Sequence, residues 1–147
     1  MVRNTAILSA LLLAACHSGG TSNGAHAPGD MADHRPFEGV AAADILHMTG
    51  TEPFWGGMVD GKTFTYTTPE NPDGLAIAVE RFGGRGGLGL SGSFDGRQVD
   101  MAVTPGDCSD GMSDRAYPFV VTLRIGGETR QGCAWSDSQP FSGPEQP

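Results

Sequence analysis

The sequence predicts an all-β fold, and three observations carry that prediction. Glycine and proline account for 23 and 10 of the 147 residues, against 7% aromatic residues, a composition that suits many short elements joined by turns. From about Ala43 onward, apolar and polar residues alternate in short bursts closed by Gly, Asp or Pro, as half-buried strands do. No stretch sustains a helical period. The expected architecture is a small single domain of about eight short antiparallel strands, a meander that closes into a barrel or folds into a sandwich. It spans residues 40–135, between a flexible linker at 16–39 and a disordered tail at 136–147.

Taken in order, Ile45 to Met48 reads as the first strand, and Gly50-Thr51-Glu52-Pro53-Phe54-Trp55 turns the chain and delivers two large aromatics. Gly57 to Val59 and Lys62 to Thr68 then flank Asp60-Gly61, a pair favoured in two-residue type I′ hairpins because both positions need positive φ. Phe64 and Tyr66 alternate with threonines, so one face packs while the other meets water. Pro69 to Gly74 reads as a loop, and Leu75, Ile77 and Val79 as the next apolar row. Gly83 to Gly87 is a hairpin tip leading into Leu88 to Phe94; it lacks the following helix and the Lys-Ser or Lys-Thr pair of a phosphate loop. Asp95-Gly96 makes another turn before Val99, Met101 and Val103. Phe119, Val121, Leu123 and Ile125 give the longest alternation, Gly126-Gly127 ends it, and Glu128 to Ala134 returns antiparallel. Ser136 to Pro147 is rich in proline and small polar residues and reads as the tail.

A formal net charge of −8 at pH 7 makes nucleic acid and anionic membrane surfaces poor partners. The N-terminus carries a different message. Arg3 precedes an apolar run from Thr5 to Ala15 that is too short for a permanent span, so residues 1–15 read as an export signal. Leu13-Ala14-Ala15-Cys16 resembles the lipobox of bacterial lipoproteins. That resemblance implies cleavage before Cys16, diacylglycerol on its thiol and acylation of the new amino terminus. The product is a membrane anchor, since each buried methylene contributes about 0.8 kcal/mol and two or more chains suffice. With His17 rather than Asp next, it further implies an outer-membrane lipoprotein facing the periplasm of a Gram-negative envelope. His17 to Gly39 has no apolar period and reads as a tether. His26, Asp30, Met31, Asp33 and His34 lie in it without the spacing of a closed metal site. No metal or cofactor is expected.

With Cys16 lipidated, Cys108 and Cys133 remain as an even pair in an oxidising compartment, and a disulfide is the expectation. A nucleophilic thiol would need a base, and nothing places His47, the one His inside the domain, beside either cysteine. The polar stretch Cys108-Ser109-Asp110-Gly111-Met112-Ser113-Asp114-Arg115-Ala116-Tyr117-Pro118 is the leading candidate for a site. Glu52, Asp107, Asp110 and Asp114 invite two chemical readings, a carboxylate pair for glycoside hydrolysis or a calcium site. The acids do not keep the alternating spacing of a helix-flanked calcium loop. Asp and Ser in glycine-bearing loops commonly bond their own backbone, so a loop shaped by its own side chains and pinned by a disulfide is the plainer reading.

Gly50 to Trp55 and Cys108 to Pro118, followed by Gly132-Cys133-Ala134, resemble the signature of a bacterial family of exported and lipid-anchored proteins described as membrane- or lipoprotein-like. Members of that family sometimes occur beside a META-type or lysozyme-inhibitor-like domain. The resemblance covers Phe37 to Ala134 and implies the cell envelope and the disulfide, without supplying a reaction. On this reading Glu52, Phe54 and Trp55 form one side of a binding surface shared with Ser109, Asp110, Ser113, Asp114, Arg115 and Tyr117. Alternatively, Phe54 and Trp55 plug one end of a barrel. The leading function is a lipid-anchored, non-catalytic binding module for a small molecule or an envelope protein. One alternative is an inhibitor of c-type lysozyme, since an acidic domain attracts a cationic enzyme and Ser91-Gly92-Ser93-Phe94 partly resembles the loop such inhibitors insert. The other is an envelope hydrolase using Glu52 with Asp110 or Asp114.

Overall fold

The computed structural model describes residues 35–144. The stretch read as an export signal, Cys16 and the stretch read as a tether as far as residue 34 therefore lie outside the described residues, as do residues 145–147. The strands are β1 Leu46–Thr51, β2 Phe54–Asp60, β3 Thr63–Thr68, β4 Asn71–Gly83, β5 Leu88–Phe94, β6 Arg97–Cys108, β7 Tyr117–Ile125 and β8 Glu128–Ser136. Each pairs antiparallel with its sequence neighbours, and β8 returns to β1 from Leu46↔Ser136 to Thr49↔Cys133. The meander is thus a closed barrel, and closure removes the free edges that a sandwich would leave.

Parity decides what the barrel holds. Phe119, Val121 and Leu123 of β7 face inward at 2% exposure or less, while Val120 and Thr122 between them are half-buried outside. The same alternation brings Leu46, Val59, Phe64, Ile77, Leu90 and Val99 into one continuous core. The β1–β2, β3–β4, β5–β6 and β7–β8 turns gather at one end, the mouth; the other connections and both chain ends gather at the base. Val40 is buried at the base with Phe37 packed beside it, and the Phe37 amide donates to Gly84 O at 2.7 Å.

Core burial also moved a turn. The pairs Val59↔Phe64 and Asp60↔Thr63 make Gly61-Lys62 the β2–β3 loop, one residue later than the sequence suggests, and only Gly61 has positive φ, 56°. An Asp60-Gly61 loop would have set Val59 opposite Lys62, a charged side chain across from a core position. The two-residue turn with both positions at positive φ is Asp95-Gly96 instead, at 50° and 72°. The expected loop from Pro69 to Gly74 shrinks to Pro69-Glu70, because Thr68↔Asn71 already pair; a bulge before Leu75, with Gly74 at φ 82°, absorbs the rest.

Both ends of the domain extend past the expected boundaries. Residues 136–144, read as part of the tail, follow a fixed path: Ser136 is fully buried, and Ala116 and Ser142 exchange backbone bonds of 3.0 and 2.9 Å. The chain ahead of β1 joins them, with Gln139 Nε2 donating to Gly39 O and Ser138 Oγ to Asp44. Strand pattern misses such segments because aromatic docking holds them, chiefly Phe141 against Tyr117 and Trp135 at ring-centre distances of 5.7 and 5.6 Å.

Candidate functional site

The β6–β7 connection, residues 109–116, is built around one carboxylate. Asp110 Oδ1 accepts from the amides of Met112 and Ser113 at 3.0 and 2.8 Å; Oδ2 accepts from the Ser113 and Tyr117 hydroxyls at 2.8 and 2.9 Å. This is the Asx-turn chemistry of an Asp in a glycine-bearing loop. Ser109 Oγ likewise accepts from Gly111 N at 3.1 Å, and Gly111 sits at φ 71°, a conformation that favours glycine. The Met112 amide, the Ser113 amide and the two hydroxyls hold the Asp110 carboxyl well below the ordinary carboxylate range, against a smaller opposing effect of burial. Cys108 and Cys133 are bonded, with Cα atoms 5.6 Å apart, so the start of the loop is tied to the outer face of β8.

Tyr117, 3% exposed, closes the loop against an aromatic cluster. Its ring lies 5.4 Å from Trp135, which in turn stacks on His47 at 5.3 Å. His47 Nε2 is 2.9 Å from Asp137 Oδ1. Arg115 lies over Phe141, 4.5 Å from the ring centre, and its Nε donates to Pro144 O at 2.9 Å. The histidine that could have served a thiol is thus committed to the docked C-terminal segment, and the thiols are committed to each other.

Between this loop and the β1–β2 turn runs a groove of about 400 Å³ on the outer wall of β7, β8 and β1. The disulfide and Gly132 floor it, Ser109 and Asp110 form one bank, and Thr49, Thr51, Glu52, Thr129 and Gln131 the other. Among the described residues, no Lys or Arg lines it. Glu52, Ser109 and Asp110 are therefore brought together as the sequence suggested, but the rest of the predicted surface divides. Trp55 is 4% exposed inside the barrel, its indole N–H donating to Gln131 O at 3.1 Å, so it plugs the mouth. Phe54, the next residue back, is 54% exposed on the rim and plugs nothing. Ser113, Arg115 and Tyr117 serve the loop and its contact with the C-terminal segment, and Asp114 is not among the groove-lining residues.

Chemically, the groove can bind but is poorly equipped to hydrolyse. A glycosidase pair needs one carboxyl able to deliver a proton and another with lone pairs free for water or sugar. Asp110 is held as the carboxylate and its oxygens already accept four hydrogen bonds. Glu52 makes no hydrogen bond or ion pair among the described residues and is the acid left to meet a ligand. No group of three or more His, Cys, Asp or Glu side chains stands ready for a metal among the described residues. Ser91 to Phe94, the stretch resembling an inhibitor loop, lies within β5: Ser91 and Gly92 are paired on both sides, and Ser93 and Phe94 with β6.

Sequence reading missed Thr129, Gln131 and Thr49 in the groove. The signal was present: Cys133 must point outward to reach Cys108, and parity then sends Gln131 and Thr129 to the same face. A comparison with protein-family models, curated proteins and solved structures found no match for this chain.

Proposed function

We propose that this chain is a lipid-anchored protein of the cell envelope, held through Cys16, whose barrel is a non-catalytic binding module for a small molecule or a segment of an envelope protein. The observation that supports the reading is the outer-wall groove. It is concave, polar, free of basic side chains among the described residues, and backed by a disulfide and a self-bonded loop that need no ligand to hold their shape. Such preorganisation keeps the ordering cost of binding low. Its donors and acceptors, with Glu52 uncommitted, suit a ligand that presents hydroxyls or a positive charge. The lysozyme-inhibitor reading loses its loop to a strand, and the hydrolase reading loses Asp110 to hydrogen bonds, so neither is preferred.

The test is mass spectrometry of the full precursor expressed in a Gram-negative host and extracted gently from membranes. A denatured mass matching an acylated chain beginning at Cys16 and lacking two hydrogens is expected, with an additional bound component in the native spectrum. Glu52→Gln should shed that component. An unacylated chain beginning elsewhere overturns the anchor, and a native mass without any adduct, together with no ligand-dependent shift in Glu52-side groove resonances on adding envelope extract, overturns the binding reading.

A further inference from the structure

The mouth of the barrel carries a feature that the outer groove does not use. Tyr66 and Arg130 face inward beside Trp55, where a strand barrel of this size is normally filled by apolar side chains. The Arg130 guanidinium carbon lies 5.9 Å from the Tyr66 ring centre, and the Tyr66 and Trp55 rings are 6.1 Å apart. Arg130 Nη2 donates to Glu128 Oε2 at 2.8 Å. The Tyr66 hydroxyl and Arg130 Nε are both buried and have no hydrogen-bond partner among the described residues. Two such groups side by side are unusual, since each orphaned buried polar atom costs roughly 1–3 kcal/mol.

Arg130 also lines an open hollow of about 400 Å³ at the mouth, whose other walls are Pro53, Phe54, Thr68, Pro69 and Glu70. The hollow is apolar on the Pro53–Phe54–Pro69 side and cationic only at Arg130. Glu128 is no permanent occupant of the guanidinium: its side chain is 71% exposed while that of Arg130 is 19% exposed. An ion pair held by so exposed a carboxylate is worth little, about 0–1 kcal/mol. An incoming carboxylate that displaces Glu128 and draws the guanidinium outward, so that its buried Nε reaches the hollow, can take both Nη2 and Nε, the side-by-side arrangement in which Arg binds carboxylates through two parallel bonds.

We propose that the mouth is a second binding site, distinct from the outer groove, for a small monocarboxylate with an apolar body. The carboxylate pairs with Arg130, and the body lies against Pro53, Phe54 and Pro69. Glu70 and Glu128 beside it set the charge selectivity, because two fixed negative charges disfavour a dianion such as a phosphate monoester far more than a monoanion.

The test titrates hexanoate and benzoate into the intact protein and follows Trp fluorescence and the amide and side-chain resonances of Trp55, with hexanamide and inorganic phosphate as controls. Saturable shifts at Trp55 with the carboxylates, and none with amide or phosphate, are expected. Arg130→Met should abolish them. Glu128→Gln should tighten binding, because the competing carboxylate is gone, and as an exposed substitution it leaves folding intact. No saturable shift in the wild-type protein and Glu128→Gln alike, or shifts that persist in folded Arg130→Met, overturn the proposal. Equal response to hexanamide overturns the carboxylate assignment.

Discussion

Replacing Asp110 should expose how the β6–β7 loop is held. In Asp110→Ala the amides of Met112 and Ser113 and the Ser113 hydroxyl lie close enough to solvent to turn to water, so their loss costs little. The Tyr117 hydroxyl differs: Tyr117 is 3% exposed and its bond to Asp110 is 2.9 Å. Leaving a buried hydroxyl without that partner costs about 1–3 kcal/mol, and about 2 kcal/mol is expected for the variant as a whole. Asp110→Asn keeps an oxygen for the two amides and presents an NH₂ to two hydroxyls able to accept, so about 1 kcal/mol is expected. The charge adds a pH signature. Because the folded carboxyl titrates below its unfolded value of about 3.9, its contribution is fully present above that value and is lost as pH falls toward the folded pKa. Wild type should therefore exceed Asp110→Asn by a constant margin at neutral pH, and the margin should shrink below about pH 4. Urea denaturation with the disulfide intact, at neutral pH and near pH 3, measures both effects. An Asp110→Ala protein within about 0.5 kcal/mol of wild type, or a margin over Asp110→Asn as wide near pH 3 as at neutral pH, would refute the reasoning.

Three further outcomes are expected. The double substitution Cys108→Ser with Cys133→Ser frees a crosslink spanning 25 positions and should lower stability by about 3 kcal/mol in urea denaturation, with the midpoint shifted. Gly132→Ala sets a methyl carbon 2.2 Å from Thr49 O and 3.1 Å from the Trp55 ring; backbone cannot yield as a flexible side chain can, so a loss of about 3 kcal/mol and a changed Trp55 emission are expected. Phe141→Ala should undock residues 137–144, costing about 1 kcal/mol, and hydrogen exchange at the Ala116 and Ser142 amides should accelerate while β7 amides stay protected. Unchanged exchange at those two amides would show that the backbone pair alone holds the segment.

The barrel was legible because burial and periodicity agree along most strands. Phe119, Val121 and Leu123 could only be an inward row, and Leu75, Ile77 and Val79 another; hairpin turns of two residues then leave little choice but a meander. What was not legible depended on contacts distant in sequence. Asp60-Gly61 has the right residues for a type I′ turn, yet the demand that Val59 oppose Phe64 shifted the loop to Gly61-Lys62. Residues 137–144 have no strand pattern of their own, and their order comes from Tyr117, Trp135 and Arg115.

The candidate site was half legible for a reason that lies in the barrel wall. A motif is a string of neighbours, but a strand sends successive side chains to opposite faces. Phe54 and Trp55 are adjacent in the sequence and were assigned to one surface; the wall puts Trp55 in the core and Phe54 on the rim. The same sorting separates Arg130, which faces the mouth, from Gln131 and Thr129, which face the groove. Glu52 escapes it because it lies in the β1–β2 turn, outside the strict alternation, and Ser109 and Asp110 escape it because the disulfide folds their loop over the outer face of β8. The loop residues beyond Asp110 divide again, since the carboxylate draws Ser113 and Tyr117 toward itself while Arg115 packs on Phe141 and donates to Pro144 O. Residues grouped by sequence thus become one surface only where a turn or a crosslink interrupts the alternation, and those interruptions frame the groove.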